Sequence, residues 1–142
     1  RCVRSMIVDA GPLLALFNPA DRDHQRCVAF LRSNQLALVT TWPVLTEVMH
    51  LLRYSVDAQL RLLSWIDRGG LALAELEQGS IGAVARLIDK YRDRPMDLAD
   101  ASVVQLAVQT GCREVLSIDS DFDIYRLPDG AWLKNPLRDT AH

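Results

Sequence analysis

The sequence predicts a three-layer α/β/α fold, with a central, mostly parallel sheet of about five strands flanked by helices. Three observations predict it. Short β-rich runs alternate with helical stretches along nearly the whole of the 142-residue chain, and strands joined through helices return in the same direction and pair in parallel. Two of the β runs, Ile7-Val8 and Leu116-Ser117-Ile118, end on an acid, Asp9 and Asp119. Open α/β sheets keep their chemistry at the carboxyl ends of strands. Finally, Glu47, Asp97 and Asp100 fall at or near the starts of predicted helices, and helix starts meet strand ends on one side of such a sheet.

Composition bounds the rest. The chain is 49% apolar and 24% charged, which is the balance of a globular protein. No apolar run approaches the ~18 residues of a membrane span, and Met6-Ile7-Val8 runs straight into Asp9, so no leader-like apolar core forms. The three cysteines, Cys2, Cys27 and Cys112, are odd in number and far apart. They build neither a disulfide framework nor a zinc site, and are expected to be reduced thiols of a cytoplasmic protein. The net charge of −2 means that a nucleic-acid partner has to be held by local arginines or bound cations, because the overall field does not attract it. One domain is expected over residues 1–142, with its core at about 6–134 and loose ends at 1–5 and 138–142.

In chain order, Val3–Val8 reads as a strand ending at Asp9. Ala10-Gly11-Pro12 reads as a turn, and Leu13–Phe17 as a short helix stopped by Asn18-Pro19. A second helix is expected over Asp21–Asn34, capped by Asp21, with His24 on its surface. Leu36–Thr40 is a second strand. The next helix starts at Thr41 or Trp42 with Pro43 in its first turn. Its inward stripe is Val44, Val48, Leu51 and Leu52, and Glu47 borders that stripe. Asp57–Arg68 is a further helix with Leu60, Leu63 and Ile66 inward, stopped by Gly69-Gly70, and Leu71–Ala74 is a third strand. Trp42 and Trp65 are read as core residues.

Gln78–Tyr91 is a long helix with an apolar face of Ile81, Val84, Ala85, Leu87 and Ile88. Lys90, Arg92 and Arg94 gather at its end. Two readings fit these cations: compensation of the helix dipole, or phosphate contacts beside the acids. Asp97 then caps an apolar helix that Gly111 closes. Asp100 lies three residues after Asp97, on the same face of the first turn. A capping-box role explains that pair locally. It does not explain Asp9, Glu47 and Asp119. Glu114–Ile118 is a fourth strand, followed by Asp119-Ser120-Asp121-Phe122-Asp123, where Phe122 packs down. Leu127-Pro128-Asp129-Gly130 is a turn, and Ala131-Trp132-Leu133 is expected as a last, edge strand.

Four or more carboxylates gathered at one sheet edge repel one another unless a cation sits among them. All-oxygen ligands suit Mg²⁺ or Mn²⁺, and such a site supports hydrolysis of a phosphodiester. Alternatives fail on residues. A phosphoaspartyl phosphatase needs a second acid in the first loop, where Ala10-Gly11-Pro12 stands. A receiver domain needs a lysine in the acidic pocket, and Lys90 and Lys134 lie at no central strand end. Gly11 stands alone where a dinucleotide-binding loop needs three glycines. No paired histidines offer metal-free acid–base chemistry, since His24, His50 and His142 carry no motif.

Four stretches together resemble the PIN-domain nucleases, most closely the small bacterial VapC-like toxins. They are Ile7-Val8-Asp9-Ala10-Gly11-Pro12-Leu13-Leu14-Ala15-Leu16, Thr40-Thr41 through Leu45-Thr46-Glu47-Val48, Met96-Asp97-Leu98-Ala99-Asp100-Ala101-Ser102, and Leu116-Ser117-Ile118-Asp119-Ser120-Asp121-Phe122. The resemblance implies a PIN fold and an acidic site of Asp9, Glu47, Asp100 and Asp119, with Asp97 and Asp121 as accessory acids. Ser117 matches the hydroxyl that the family carries before its fourth acid. It also implies Mg²⁺- or Mn²⁺-dependent cleavage of single-stranded RNA by the toxin of a toxin–antitoxin pair, a homodimer, and inhibition by an antitoxin whose tail enters the acidic cleft. Asp9, Asp100 and Asp119 are expected to hold one metal, and Glu47 either completes that set or binds a second ion. Arg92, Arg94 and Arg126 are candidate RNA contacts. One departure stands out: many relatives carry Ser or Thr two residues after the first acid, where this chain has Gly11. The alternative function is a PIN-fold module that binds RNA or protein without cutting.

Overall fold

Met6, Ile7 and Val8 are buried although successive side chains point to opposite faces of their strand, as in a parallel sheet covered by helices on both faces. The computed structural model describes residues 4–139. Its sheet contains β1 (Arg4–Val8), β2 (Leu36–Thr41), β3 (Ala72–Ala74) and β4 (Val115–Leu116), in the order β3-β2-β1-β4. All three pairings are parallel. Ile7 lies opposite Val39 on one side and Val115 on the other, and Val39 in turn opposes Ala72. From β1 the chain steps outward to β2 and β3, then crosses back to place β4 against the free edge of β1. The order therefore reverses between β1 and β4, and a crevice opens beyond the carboxyl ends of those two strands.

Among the described residues, seven α-helices connect and cover the sheet: α1 (Ala10–Phe17), α2 (His24–Ser33), α3 (Trp42–Leu51), α4 (Val56–Asp67), α5 (Ile81–Lys90), α6 (Leu98–Thr110) and α7 (Pro136–Asp139). The core is continuous from β1 through α6. In α6 nearly every residue from Ala99 to Ala107 is buried, so it is a central helix with no solvent stripe. Its ends follow local chemistry: the Asp97 side chain accepts from the Asp100 N–H at 2.8 Å, and Gly111 stops the helix in the left-handed region at φ 75°.

Several expectations are corrected. Among the described residues the sheet has four strands: Ala131–Leu133 forms no edge strand, only isolated bridges from Trp132 to Arg126 and from Lys134 to Glu114. Pairing with β4 ends after that single step because Pro136 has no N–H to donate. Ala10-Gly11-Pro12 is not a separate turn; α1 begins at Ala10 with Asp9 in the cap position. The α2 helix starts at His24, because Asp21 is used in a turn, accepting from the Asp23 N–H at 2.8 Å. His24 Nδ1 lies 2.7 Å from the Ala15 carbonyl oxygen, so that nitrogen donates and ties α2 to α1.

The apolar faces also turn. In α4, Ala58 and Leu62 point inward, whereas Leu60 is 56% exposed and Leu63 is exposed. In α5, Val84 and Leu87 are buried and Ile81 is 71% exposed, after a 3₁₀ turn at Gln78–Ser80 that shortens the predicted helix. In α3, Leu51 is exposed and Thr41 is the cap. Trp42 is 53% exposed, and Trp65 is half-buried against Phe17. Of the ends expected to be loose, Arg4 and Ser5 open β1 and Arg138 lies in α7, paired with Asp123 at 3.1 Å; residues 1–3 and 140–142 lie outside the described residues.

Candidate active site

Asp9 is the floor of the crevice. It follows β1 directly, its N–H donates to the Leu116 carbonyl at 2.9 Å, and it is only 4% exposed. A buried carboxylate needs donors. Ser117, the residue after β4, supplies one from its hydroxyl to Asp9 Oδ2 at 3.0 Å. Burial nevertheless pushes the Asp9 carboxyl up to about 7, and the neighbouring charges of Asp119 and Glu47 add to the rise.

Asp100 comes from the first turn of α6. Its Oδ2 accepts from the Tyr125 hydroxyl at 3.3 Å. Burial first, then the charges of Asp97 and Asp9, raise it to about 8. Glu47 projects from α3, half-buried; burial and the charges of Asp97 and Asp119 raise its carboxyl. Asp97 is exposed and serves as the α6 cap. Asp119 is exposed and its Oδ1 accepts from the Asp121 N–H at 3.1 Å, an Asx-turn that shapes the loop. Asp121 is raised by burial and by Asp119, while Arg94 works in the opposite direction.

These mutual influences join all six predicted acids into one cluster. Four separate pieces of chain deliver them: the end of β1, the second turn of α3, the start of α6 and the loop after β4. Two further contacts hold the pieces together. Thr40 donates to the Val8 carbonyl at 2.6 Å, and Thr41 and Ser102 hydroxyls lie 2.6 Å apart, linking the helix of Glu47 to the helix of Asp100.

The predicted arginines separate. Arg92 is paired with Asp89 of its own turn. Arg126 folds back on the carbonyls of Asp123 and Ile124 and stacks over Trp132. Arg94 is exposed and acts electrostatically on Asp121. Gly11 also has a structural reason: a Cβ there stands 3.3 Å from the Ile118 Cβ, so a larger residue needs the post-β4 segment to give way.

Sequence reasoning missed two participants. Tyr125 is 2% exposed and packs edge-on against Tyr91 and Phe122. Asn135, 6% exposed, bonds both backbone groups of Ser117. Neither sits in a local motif. A buried amide and a buried phenol near an acidic cluster are the signals that expose them, and burial is not written in the sequence.

The donor chemistry fits a hard divalent cation: all six side chains offer carboxylate oxygen, and their mutual repulsion is what a cation relieves. Among the described residues, no three His, Cys, Asp or Glu side chains stand close enough to form a ready-made metal site. No helix among the described residues is long and apolar enough to cross a membrane.

Comparison with known proteins gives the family. The chain is 35% identical over 116 residues to ribonuclease VapC26 of Mycobacterium tuberculosis (strain ATCC 25618 / H37Rv), covering 80% of this chain and 86% of that protein. Its fold matches the crystal structure of Mycobacterium tuberculosis VapC20, a Sarcin-Ricin loop cleaving toxin, with a TM-score of 0.76 at 18% identity over 83% of this chain and 92% of the other. It also matches VapBC2 of Rickettsia felis, bound to a DNA fragment from its promoter, with a TM-score of 0.61 at 13% identity over 92% and 98% of the two chains. The PIN domain family model covers residues 6–127, a span that holds all six acids, and the chain belongs to the PIN domain family.

Proposed function

We propose that the protein is a Mg²⁺- or Mn²⁺-dependent endoribonuclease that hydrolyses phosphodiester bonds of single-stranded RNA, acting in the cytoplasm as the toxin of a toxin–antitoxin pair. The observation that carries the reading is the convergence of Asp9, Glu47, Asp100 and Asp119 from four elements onto one crevice, with two of them driven to hold protons near neutrality. Similarity to a VapC ribonuclease supplies the substrate class. The VapBC2 match supports an antitoxin partner.

Asp9, Glu47, Asp100 and Asp119 are the residues that would hold the cation, with Asp97 and Asp121 beside them. Bound there, the ion would neutralise the phosphate, lower the pKa of water and stabilise the leaving oxygen. The chain's own groups do the rest. Ser117 fixes one oxygen of Asp9, and Tyr125 fixes one oxygen of Asp100. Asp9 lies at the closed floor, where water has little access, and Asp119 and Asp97 stand at the open rim. Arg94 is the arginine placed to meet a phosphate, since Arg92 and Arg126 are engaged elsewhere. His24 is spent on the Ala15 carbonyl.

Beside the acids, a shallow cleft between α3 and α6 is lined by Trp42, Thr46, Glu47, His50, Asp97 and Leu98. Exposed Trp42 and Leu98 flank Glu47 and Asp97 there, and exposed apolar residues at this position support a homodimer. The test is cleavage of a mixed single-stranded RNA pool by the purified protein. Cleavage with Mg²⁺ or Mn²⁺ that stops in EDTA is the expected result. RNA binding that is unchanged by EDTA and never accompanied by cleavage marks a binding module and rejects the proposal.

A further inference from the structure

We propose that Asn135 is a positioning residue for the acidic site, acting on Asp9 through Ser117. The inference rests on the nuclease reading above. Its basis is how the chain runs beside β4. The segment before α7 pairs with β4 for one parallel step: the Val115 N–H donates to the Lys134 carbonyl at 2.9 Å, and the Lys134 N–H donates to the Arg113 carbonyl at 2.8 Å. The ladder cannot continue through the main chain, because the next donor belongs to Pro136. Further along, at Ser117, the Asn135 side chain stands in for a main-chain partner. Its Nδ2 donates to the Ser117 carbonyl at 3.0 Å, and its Oδ1 accepts from the Ser117 N–H at 3.3 Å.

A carboxamide has the donor and acceptor of a peptide group, so it extends the sheet edge by one residue. That residue is the one whose hydroxyl donates to Asp9 Oδ2. Asn135, Ser117 and Asp9 are all buried, so each bond in the relay is shielded from competing water. Without the clamp, the peptide of Ser117 has buried polar groups with no partner on that side and is free to rotate. The Ser117 hydroxyl then leaves Asp9, and the carboxylate loses its fixed orientation. Asn135 lies beyond the stretch matched by the family model, which ends at residue 127.

The experiment measures Mn²⁺ binding directly, from the Mn²⁺-dependent rise in melting temperature, alongside RNA cleavage, for the wild type, Asn135→Ala, Ser117→Ala and the double variant. Outer contacts that orient a metal-binding carboxylate are worth 10–100-fold in metal affinity. Each single variant is expected to need at least about tenfold more Mn²⁺ for the same rise in melting temperature. The double variant is expected to need no more than the worse single one, because both cut the same relay. A purely structural Asn135 lowers the melting temperature of the metal-free protein but leaves the Mn²⁺ concentration needed for a given rise at its wild-type value; that result overturns the proposal. If Asn135→Ala does not fold, Ser117→Ala decides alone, because both amide bonds to the Ser117 backbone remain in it. Weakened Mn²⁺ binding in Ser117→Ala supports the relay, and wild-type binding refutes it. A wild-type protein that neither responds to Mn²⁺ nor cuts RNA removes the nuclease reading itself, a failure distinct from an unaltered variant of an active protein.

Discussion

The hydroxyl of Ser102 bridges two helices: it donates to the Ala99 carbonyl at 2.6 Å and lies 2.6 Å from the hydroxyl of Thr41. With its one hydrogen committed to Ala99, Ser102 accepts, and Thr41 is the donor. The Thr41 oxygen in turn accepts from the Val44 N–H at 3.3 Å as the cap of α3. This buried chain locks the helix that carries Glu47 against the helix that carries Asp100. Ser102→Ala leaves the Thr41 hydroxyl buried without its partner and is expected to cost about 1–3 kcal/mol. Adding Thr41→Ala is expected to cost less than the sum of the two single changes. Urea unfolding of the four proteins checks this; simple additivity contradicts it.

Tyr125 tests how firmly Asp100 must be held. Tyr125→Phe keeps the ring contacts with Tyr91 and Phe122 and removes only the 3.3 Å bond to Asp100. The variant is expected to fold, and to need about tenfold more Mn²⁺ for half-maximal cleavage. An unchanged metal dependence assigns Tyr125 to packing alone.

Much of the fold was legible where the signal is local. The cap at Asp97 and the stop at Gly111 are written in a few residues, and both stand as expected. The central place of β1 follows from Met6-Ile7-Val8, apolar on both faces. Phe122 packs down as its lone apolar place among acids suggests. The inward face of α4 was not legible, because Val56, Leu60, Leu62, Leu63, Trp65 and Ile66 spread around the helix and several faces compete. The last strand is not legible because β-prone residues say nothing about whether a partner edge can continue past Pro136. Tyr125 and Asn135 were invisible for a different reason. Their partners lie 25 and 18 residues away, and only the folded chain brings them together.

The acidic cluster sets a pH dependence that can be measured without RNA. In the metal-free fold Asp9 keeps its proton up to about 7 and Asp100 up to about 8, whereas in the unfolded chain both lose it near 4. Between those values the native state binds more protons, so stability falls as pH rises. The melting temperature in EDTA is expected to drop from pH 5 to pH 8. For Asp9 alone the interval from pH 5 to 7 corresponds to roughly 2 kcal/mol. Asp9→Asn has no such proton to lose, and its pH slope is expected to be shallower. An identical slope in wild type and variant contradicts the assigned environment of Asp9.

Gly70 offers a test of the packing away from the site. A Cβ at this position falls onto the Trp65 ring nitrogen. Gly70→Ala therefore forces the indole off Phe17, with an expected loss of about 1–3 kcal/mol and a change in tryptophan fluorescence. A variant as stable as the wild type, with unaltered fluorescence, shows that the ring does not rest on Gly70.

The most direct measurement is cleavage of single-stranded RNA in saturating Mn²⁺ by the wild type, Asp9→Asn and Asp100→Asn, with each variant shown to be folded by circular dichroism. Four carboxylates acting as one site predict cleavage by the wild type that falls at least a hundredfold, on the order of the 3 kcal/mol carried by a main electrostatic group, in both variants. Wild-type cleavage by either folded variant contradicts the claim that these acids form the catalytic centre.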